Sequence, residues 1–375
     1  MKRIFAALLA MIMALTLCAC AKDPEPVVTT TQNTAPEETT VEETTVEETT
    51  VEETTVEETA APVVLYRNPL NGTPLEEPWT TRFFSVTINN VSYAMPHCGV
   101  SQADLFFEMF INDYATRGYA FFSDISQVEA IGSVRSHRFP FTDLAQSYHS
   151  IGVHAGGSDA VMADLNNSVV EHLYAEVTAQ SVDYDYRDQS RLDSGYACEH
   201  TLFVRGDKLQ EAATSKGYDI TQDGSRNYGM VFSEYATISD GETANKIGIK
   251  FLLYGHSKTT EMEYDASTGK YNYCQFGQTM VDGNNGEKEQ FSNVFVILAD
   301  THNEVHSNNT YHIPDILGSG DGYYACGGSL IPIQWHRASD DDAFSFTLTD
   351  GSQLVQAVGN SYIAIAPTGS EITWE

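Results

Sequence analysis

Ile151-Gly152-Val153-His154-Ala155-Gly156-Gly157-Ser158 reads as a strand that ends in a glycine turn and delivers Ser158 to the start of a helix carrying Ala160, Val161 and Leu165. A strand feeding a helix through a short turn is the unit from which layered α/β and α+β domains are built. The residues before it continue the pattern. Residues 82–89 alternate, with Phe84, Val86 and Ile88 on one face, and predict a strand. Ser101-Gln102-Ala103-Asp104 resembles a capping box and predicts a helix with Leu105, Phe106, Met109 and Phe110 on one side. Residues 119–122 read as a short apolar strand and residues 142–148 as helix.

Past residue 215 the character changes. Short β-prone runs at 247–254, 270–275, 293–298, 345–348 and 362–366 are separated by turn signals such as Ser267-Thr268-Gly269, Asp282-Gly283-Asn284-Asn285-Gly286 and Asp350-Gly351. The expected class is α+β. It has an N-terminal α/β-type domain over 66–222, a boundary near Gln222-Asp223-Gly224, and a mainly antiparallel β domain over 223–375.

Residues 1–65 are of another kind. Met1-Lys2-Arg3 precedes an apolar run from Ile4 to Leu17, too short for a comfortable membrane span and shaped like a secretion signal. Its end, Leu17-Cys18-Ala19-Cys20, resembles a bacterial lipobox, so residues 1–20 are expected to be a lipoprotein signal peptide. Cys20 is the expected acylated residue, and Cys18 a weaker alternative. Acyl chains contribute about 0.8 kcal/mol per buried CH₂, so a multiply acylated cysteine anchors stably. Residues 21–65 repeat Val-Glu-Glu-Thr-Thr from Val41 onward, a spacing that fits neither helix nor heptad. They are expected to be a disordered acidic stalk spanning roughly 35–40 Å as a random coil. The formal net charge is −32, and residues 63–375 hold 17 basic against 40 acidic residues, a balance that disfavours nucleic acid as a partner.

Three stretches carry a family resemblance. They run from Asn89-Asn90 to Gly99-Val100-Ser101-Gln102-Ala103-Asp104, then through Ile131-Gly132-Ser133-Val134-Arg135-Ser136-His137-Arg138, then through Val153-His154-Ala155-Gly156-Gly157-Ser158. Gly318-Ser319-Gly320-Asp321-Gly322-Tyr323-Tyr324 and Ile331-Pro332-Ile333-Gln334-Trp335 extend it. Over roughly residues 66–367 the chain resembles the YerB-type bacterial lipoproteins, a two-part family of unknown function known as domain of unknown function 3048. The family usually reads Gly-Pro-Val-Arg-Ser-Ala-Arg where this chain has Ser133 and His137 in place of Pro and Ala. The resemblance implies an envelope location and no mechanism.

Candidate chemistry comes from the residues. Arg135 and Arg138 stand out in an acidic chain; the guanidinium fork suits carboxylate or phosphate, and Ser136 adds a donor. The bland alternative pairs both arginines with local acids such as Asp143 or Asp104. Gly156, Gly157 and Ser158 could form an anion site if a helix begins there. His154 and His200 are candidate acid/base groups, with Asp188 a further catalytic candidate. Tyr186-Arg187-Asp188-Gln189-Ser190-Arg191 resembles the family's Arg-Asp-x-x-Arg segment; Arg187 and Arg191 could close a salt-bridged loop or line the same anion pocket. His302, His306 and His312 do not follow the zinc-protease pattern and look loop-like, so no metal and no cofactor are expected. Cys98 and Cys198 fall in the first half, Cys274 and Cys326 in the second; an exported location permits disulfides, and Cys98–Cys198 with Cys274–Cys326 is the expected pairing.

These features point to a membrane-anchored binding module for an anionic envelope component or an envelope protein. The alternative is a hydrolase or transferase acting on phosphorylated or lipid-linked envelope glycans. A scaffold using exposed aromatics of the second half is a third possibility.

Overall fold

The computed structural model describes residues 66–112, 115–176 and 181–375. The leader, Cys20 and the stalk lie outside the described residues. The described residues all fall in one compact unit. Its centre is an 11-stranded mixed sheet. In spatial order the strands are Glu242–Thr243, Ser329–Arg337, Gly318–Cys326, Asn293–Ala299, Ser361–Pro367, Leu105–Asn112, Ala115–Phe122, Phe84–Asn90, Ile151–His154 and His172–Tyr174, with Ser345–Leu348 paired beside Ser329–Arg337. Sequence from both sides of residue 222 therefore enters one sheet. The joining pair is parallel, Phe106 opposite Tyr362 and Glu108 opposite Ala364. A second pair, Asn293–Ala299 with Ser361–Pro367, is parallel too, so the second half is not purely antiparallel.

Both faces of the middle of this sheet are covered, so strands such as Phe84–Asn90 and Ser361–Pro367 are buried along their whole length. Against one face packs a six-stranded sheet built on Lys246–Leu253, His256–Asp265 and Lys270–Gln275, bringing Ile247, Phe251 and Tyr273 onto Phe84, Phe106 and Val294. Against the other pack α1 (Phe139–Ser147) and α2 (Asp159–Asn167), with Phe141, Leu144 and Leu165 meeting Phe107, Phe121 and Ile363. Two further helices, α3 (Gln189–Asp193) and α4 (Gly206–Ser215), complete the first half.

The helix expected after Ser101 is a strand, Leu105–Asn112. Leu105, Phe107 and Met109 face one core and Phe106 and Phe110 the other. A strand buried on both faces has no solvent side, and its apolar residues, interrupted only by the buried Glu108, imitate one face of a helix. The capping-box residues serve elsewhere. The Asp104 carboxylate accepts from the Ser123 backbone N–H and hydroxyl, and the Ser101 hydroxyl donates to Asp282. Gly118 is required by packing, since a Cβ there would lie 2.5 Å from the Phe106 ring. The histidine segment read as a loop is a hairpin, Thr301–His306 with Asn309–Pro314.

The expected disulfides are absent: Cys98, Cys198, Cys274 and Cys326 are free thiols. Two cysteines per half is a matter of count, whereas a bridge needs matched Cα and Cβ positions. Burial, helped by nearby Asp282, raises the Cys98 thiol to about 12, and burial also raises Cys274 and Cys326. Cys198 is exposed. Because the thiolate is the reactive form, iodoacetamide at pH 8 is expected to modify Cys198 in the native chain and the other three only after unfolding. Peptide mapping without reductant that recovers a Cys98–Cys198 or Cys274–Cys326 bridge would contradict this assignment.

Candidate functional site

Two clefts of about 390 Å³ each share Ile111, near the end of the strand Leu105–Asn112. The first is lined by Ser136, Arg138, Gly157, Ser158, Tyr311 and His312 among others. The second is lined by Asn89, Asn90, Tyr93, Arg117, Arg135, Glu199, His200 and Phe276 among others.

The first cleft sits where the quoted strand–turn–helix unit ends. Ile151–His154 runs into Gly156 at φ 68°, and α2 begins directly after Ser158. Ser158 occupies the cap position without using its side chain as a cap, and its buried hydroxyl has no partner. Arg138 precedes α1; its Nη1 donates to the carbonyls of Ser136 and His137 at 3.2 and 2.8 Å. Burial, together with Arg135 nearby, pulls the Arg138 guanidinium down to about 10.

His154 stands behind this turn. Its Nδ1 lies 3.1 Å from the Gly156 carbonyl and its Nε2 3.0 Å from His172 Nδ1. A carbonyl can only accept, so His154 carries its proton on Nδ1 and His172 donates to Nε2. Burial, with His172 adding to it, pulls His154 down to about 3, so it is neutral at physiological pH. With both ring nitrogens engaged and the side chain fully buried, His154 braces the glycine turn and lines neither cleft.

The second cleft holds the least ordinary group. Arg117, on the central strand Ala115–Phe122, is 3 % exposed, and its Nε and Nη1 have no hydrogen-bond partner. Burial, then the charges of Arg138 and Arg135, pull its pKa well below the usual arginine value. Arg135 Nε is likewise buried without a partner, while its Nη1 donates to the Glu199 carbonyl at 3.4 Å. Among the described residues none of the three arginines has a carboxylate in salt-bridge range. Asp104 is occupied by Asn71 and Ser123, and Arg337 donates to the Asp143 backbone carbonyl. Asn89 Nδ2 donates to His200 Nδ1 at 2.8 Å, and the exposed Tyr93 ring lies 4.9 Å from the His200 ring.

Other expected site residues are engaged in structure. Asp188 caps α3, accepting from the backbone N–H groups of Ser190 and Arg191. Arg191 is buried and donates to the carbonyls of Ala94 and His200, with the Phe203 ring 4.6 Å below it. Arg187 pairs with Glu176. Arg187, Arg191 and Asp188 line neither cleft. His302 faces Asp315 and shares Glu304 with His306, whereas His312 faces Asn303, so the three histidines do not meet at one point. Sequence reasoning passed over Arg117, Asn90, Tyr93 and Phe276. The usable signal was an arginine inside an otherwise apolar central strand, which is expensive to bury without a purpose.

Fold and site together define an α+β protein built on one mixed sheet, with an uncompensated arginine cluster between two neighbouring clefts. The chain belongs to the DUF3048 family. Residues 70–219 match "Protein of unknown function (DUF3048) N-terminal domain" and residues 249–363 match its C-terminal domain. YerB of Bacillus subtilis (strain 168), which carries the name of a lipoprotein, is 26% identical over 303 residues, 80% of this chain and 86% of YerB. The crystal structure of the YerB protein from Bacillus subtilis superposes with a TM-score of 0.69 at 24% identity, covering 82% of this chain and 99% of that one. Among the described residues no helix is long and apolar enough to cross a membrane.

Proposed function

We propose that this chain is an extracytoplasmic lipoprotein, anchored through an acylated Cys20, that binds an anionic component of the cell envelope. The anchoring rests on the leader, the Leu17-Cys18-Ala19-Cys20 stretch and the name of the relative. The binding reading rests on one observation: in a chain of net charge −32, Arg117, Arg135 and Arg138 cluster without a carboxylate partner among the described residues. Fifty-two acidic residues are at hand to neutralise three arginines. A buried cation is normally paired, so an arginine left open beside a cleft is suited to an anion from outside. Ser158 and the N-terminus of α2 add a hydroxyl and free N–H groups in the first cleft.

The test is a thermal-shift screen of the full chain against polyprenyl phosphates, muropeptides and teichoic-acid fragments, on wild type and Arg135→Ala. A ligand present at one hundred times its dissociation constant stabilises by about 2.7 kcal/mol. The expected result is a shift with an anionic compound that is lost in Arg135→Ala. A panel that shifts neither protein overturns the reading.

A further inference from the structure

We infer that the second cleft contains a stacking subsite, formed by Phe276 and Tyr93, for a sugar ring carried by the same anion. The ligand class is therefore a phosphorylated sugar rather than a bare phosphate or a lipid phosphate. This rests on the anion-binding reading above and adds a chemical identity to it.

The argument begins at Phe276. It sits in the two-residue turn between Lys270–Gln275 and Gln278–Thr279, at φ 55°, followed by Gly277 at φ 76°. Two successive positive φ values make the turn of the kind that favours Asn-Gly and strains a bulky residue at its first position. Phe276 is 44 % exposed, so the hydrophobic core does not account for it. The ring lines the second cleft, 5.9 Å from the Lys258 ammonium. An aromatic held in a disfavoured conformation, in water, at a cleft is the arrangement expected where the ring serves a ligand.

Tyr93 supplies the second ring. It lies in the 3₁₀ turn Ser92–Ala94, is 66 % exposed, and also lines this cleft. Besides the aromatics and the arginines, the polar residues Asn89, Asn90, Ser92 and Glu199 line this cleft. Asn90 is fixed, its Nδ2 donating to Thr116 and Tyr273 and its Oδ1 accepting from Gln275 at 2.6 Å. Both asparagines are buried, so it is the exposed Ser92 and Glu199 beside the aromatic rings that suit hydroxyls around an apolar ring face. A lipid phosphate offers no ring, and a nucleotide offers few hydroxyls beside its base.

The experiment measures calorimetric affinity of the full chain for glucose 1-phosphate, adenosine monophosphate and inorganic phosphate. The proteins are wild type, Phe276→Asn and Tyr93→Ser, with thermal midpoints recorded. Phe276→Asn places a residue the turn favours, so it is expected to fold at least as stably as wild type. Wild type is expected to bind glucose 1-phosphate about tenfold more tightly than inorganic phosphate, the worth of one aromatic contact. Both variants are expected to lose that preference while keeping the inorganic phosphate affinity. Equal affinity for sugar phosphate and inorganic phosphate, a preference for adenosine monophosphate, or a preference untouched by Phe276→Asn each overturns the subsite and leaves anion binding standing. If no arm binds, both fail.

Discussion

Lys258→Met is expected to cost the fold roughly 3–5 kcal/mol at neutral pH, a large share of the stability of a typical domain. The reason is Glu108. Its carboxylate is fully buried on the strand Leu105–Asn112 and is bonded by the Lys258 ammonium, the Thr116 hydroxyl at 2.6 Å, and the Tyr362 and Tyr273 hydroxyls at 2.7 and 2.9 Å. Burial by itself would raise the Glu108 pKa, but Lys258 and the hydroxyl donors outweigh it and hold the carboxyl below its ordinary range. A depressed carboxylate contributes stability above its unfolded pKa and loses it as pH falls through the folded value. Removing the ammonium reverses this. Burial then dominates, the folded pKa rises above the unfolded one, and the native state takes up a proton that the unfolded chain does not. The deficit of Lys258→Met against wild type should therefore shrink as pH falls from 7 toward 5. Urea denaturation followed by tryptophan fluorescence reads both quantities. A loss under about 1 kcal/mol, the worth of an exposed pair, would show that the pair is not buried as described. Because Glu108 comes from the first half of the sequence and Lys258, Tyr273 and Tyr362 from the second, unfolding should remain a single transition in the variant.

The same residues explain what could be read from sequence. Residues 82–89 were legible as a strand because polar and apolar positions alternate, and the glycine turn at Gly156-Gly157 because those glycines leave few alternatives. Runs such as 270–275 and 293–298 were legible because turn chemistry brackets them. Leu105–Asn112 was not, since it carries apolar residues on both faces and so shows no period that separates it from a helix. Arg135 and Arg138 could be singled out as rare bases in an acidic chain. Arg187 and Arg191 shared that rarity and met different ends, because local carbonyls and Glu176 engage them in the fold. The clefts were beyond reach for a further reason. Arg117 and Phe276 are 159 positions apart, as the numbering shows, and only the packing of the six-stranded sheet on the mixed sheet brings them to one cleft. Spacing in one dimension has no record of that.

Arg117→Met is expected to move stability and binding in opposite directions. In the ligand-free chain Arg117 is a buried cation with Nε and Nη1 unpartnered, and Arg135 and Arg138 repel it. An arginine does not shed its proton under ordinary conditions, so the penalty stays in the free energy of folding. Methionine keeps most of the length of the side chain and removes the charge. Replacing buried ionic groups by apolar ones of similar volume is neutral to stabilising by about 1–4 kcal/mol, and here no ion pair among the described residues is lost in exchange. The denaturation midpoint of the ligand-free protein should rise. Anion affinity should fall roughly tenfold to a hundredfold, the range of a charge-assisted hydrogen bond worth about 1.5–3 kcal/mol. The stabilisation that added phosphate gives to wild type should be correspondingly smaller in the variant. If Arg117 were instead a structural brace for Asn89, its neighbour across the strand pair, methionine would lower the midpoint and leave phosphate affinity unchanged. The two accounts thus differ in the sign of the stability change and in whether affinity changes at all. A chain that retains an arginine costing it stability, at the wall of a cleft, is behaving as proteins do where function sets the residue.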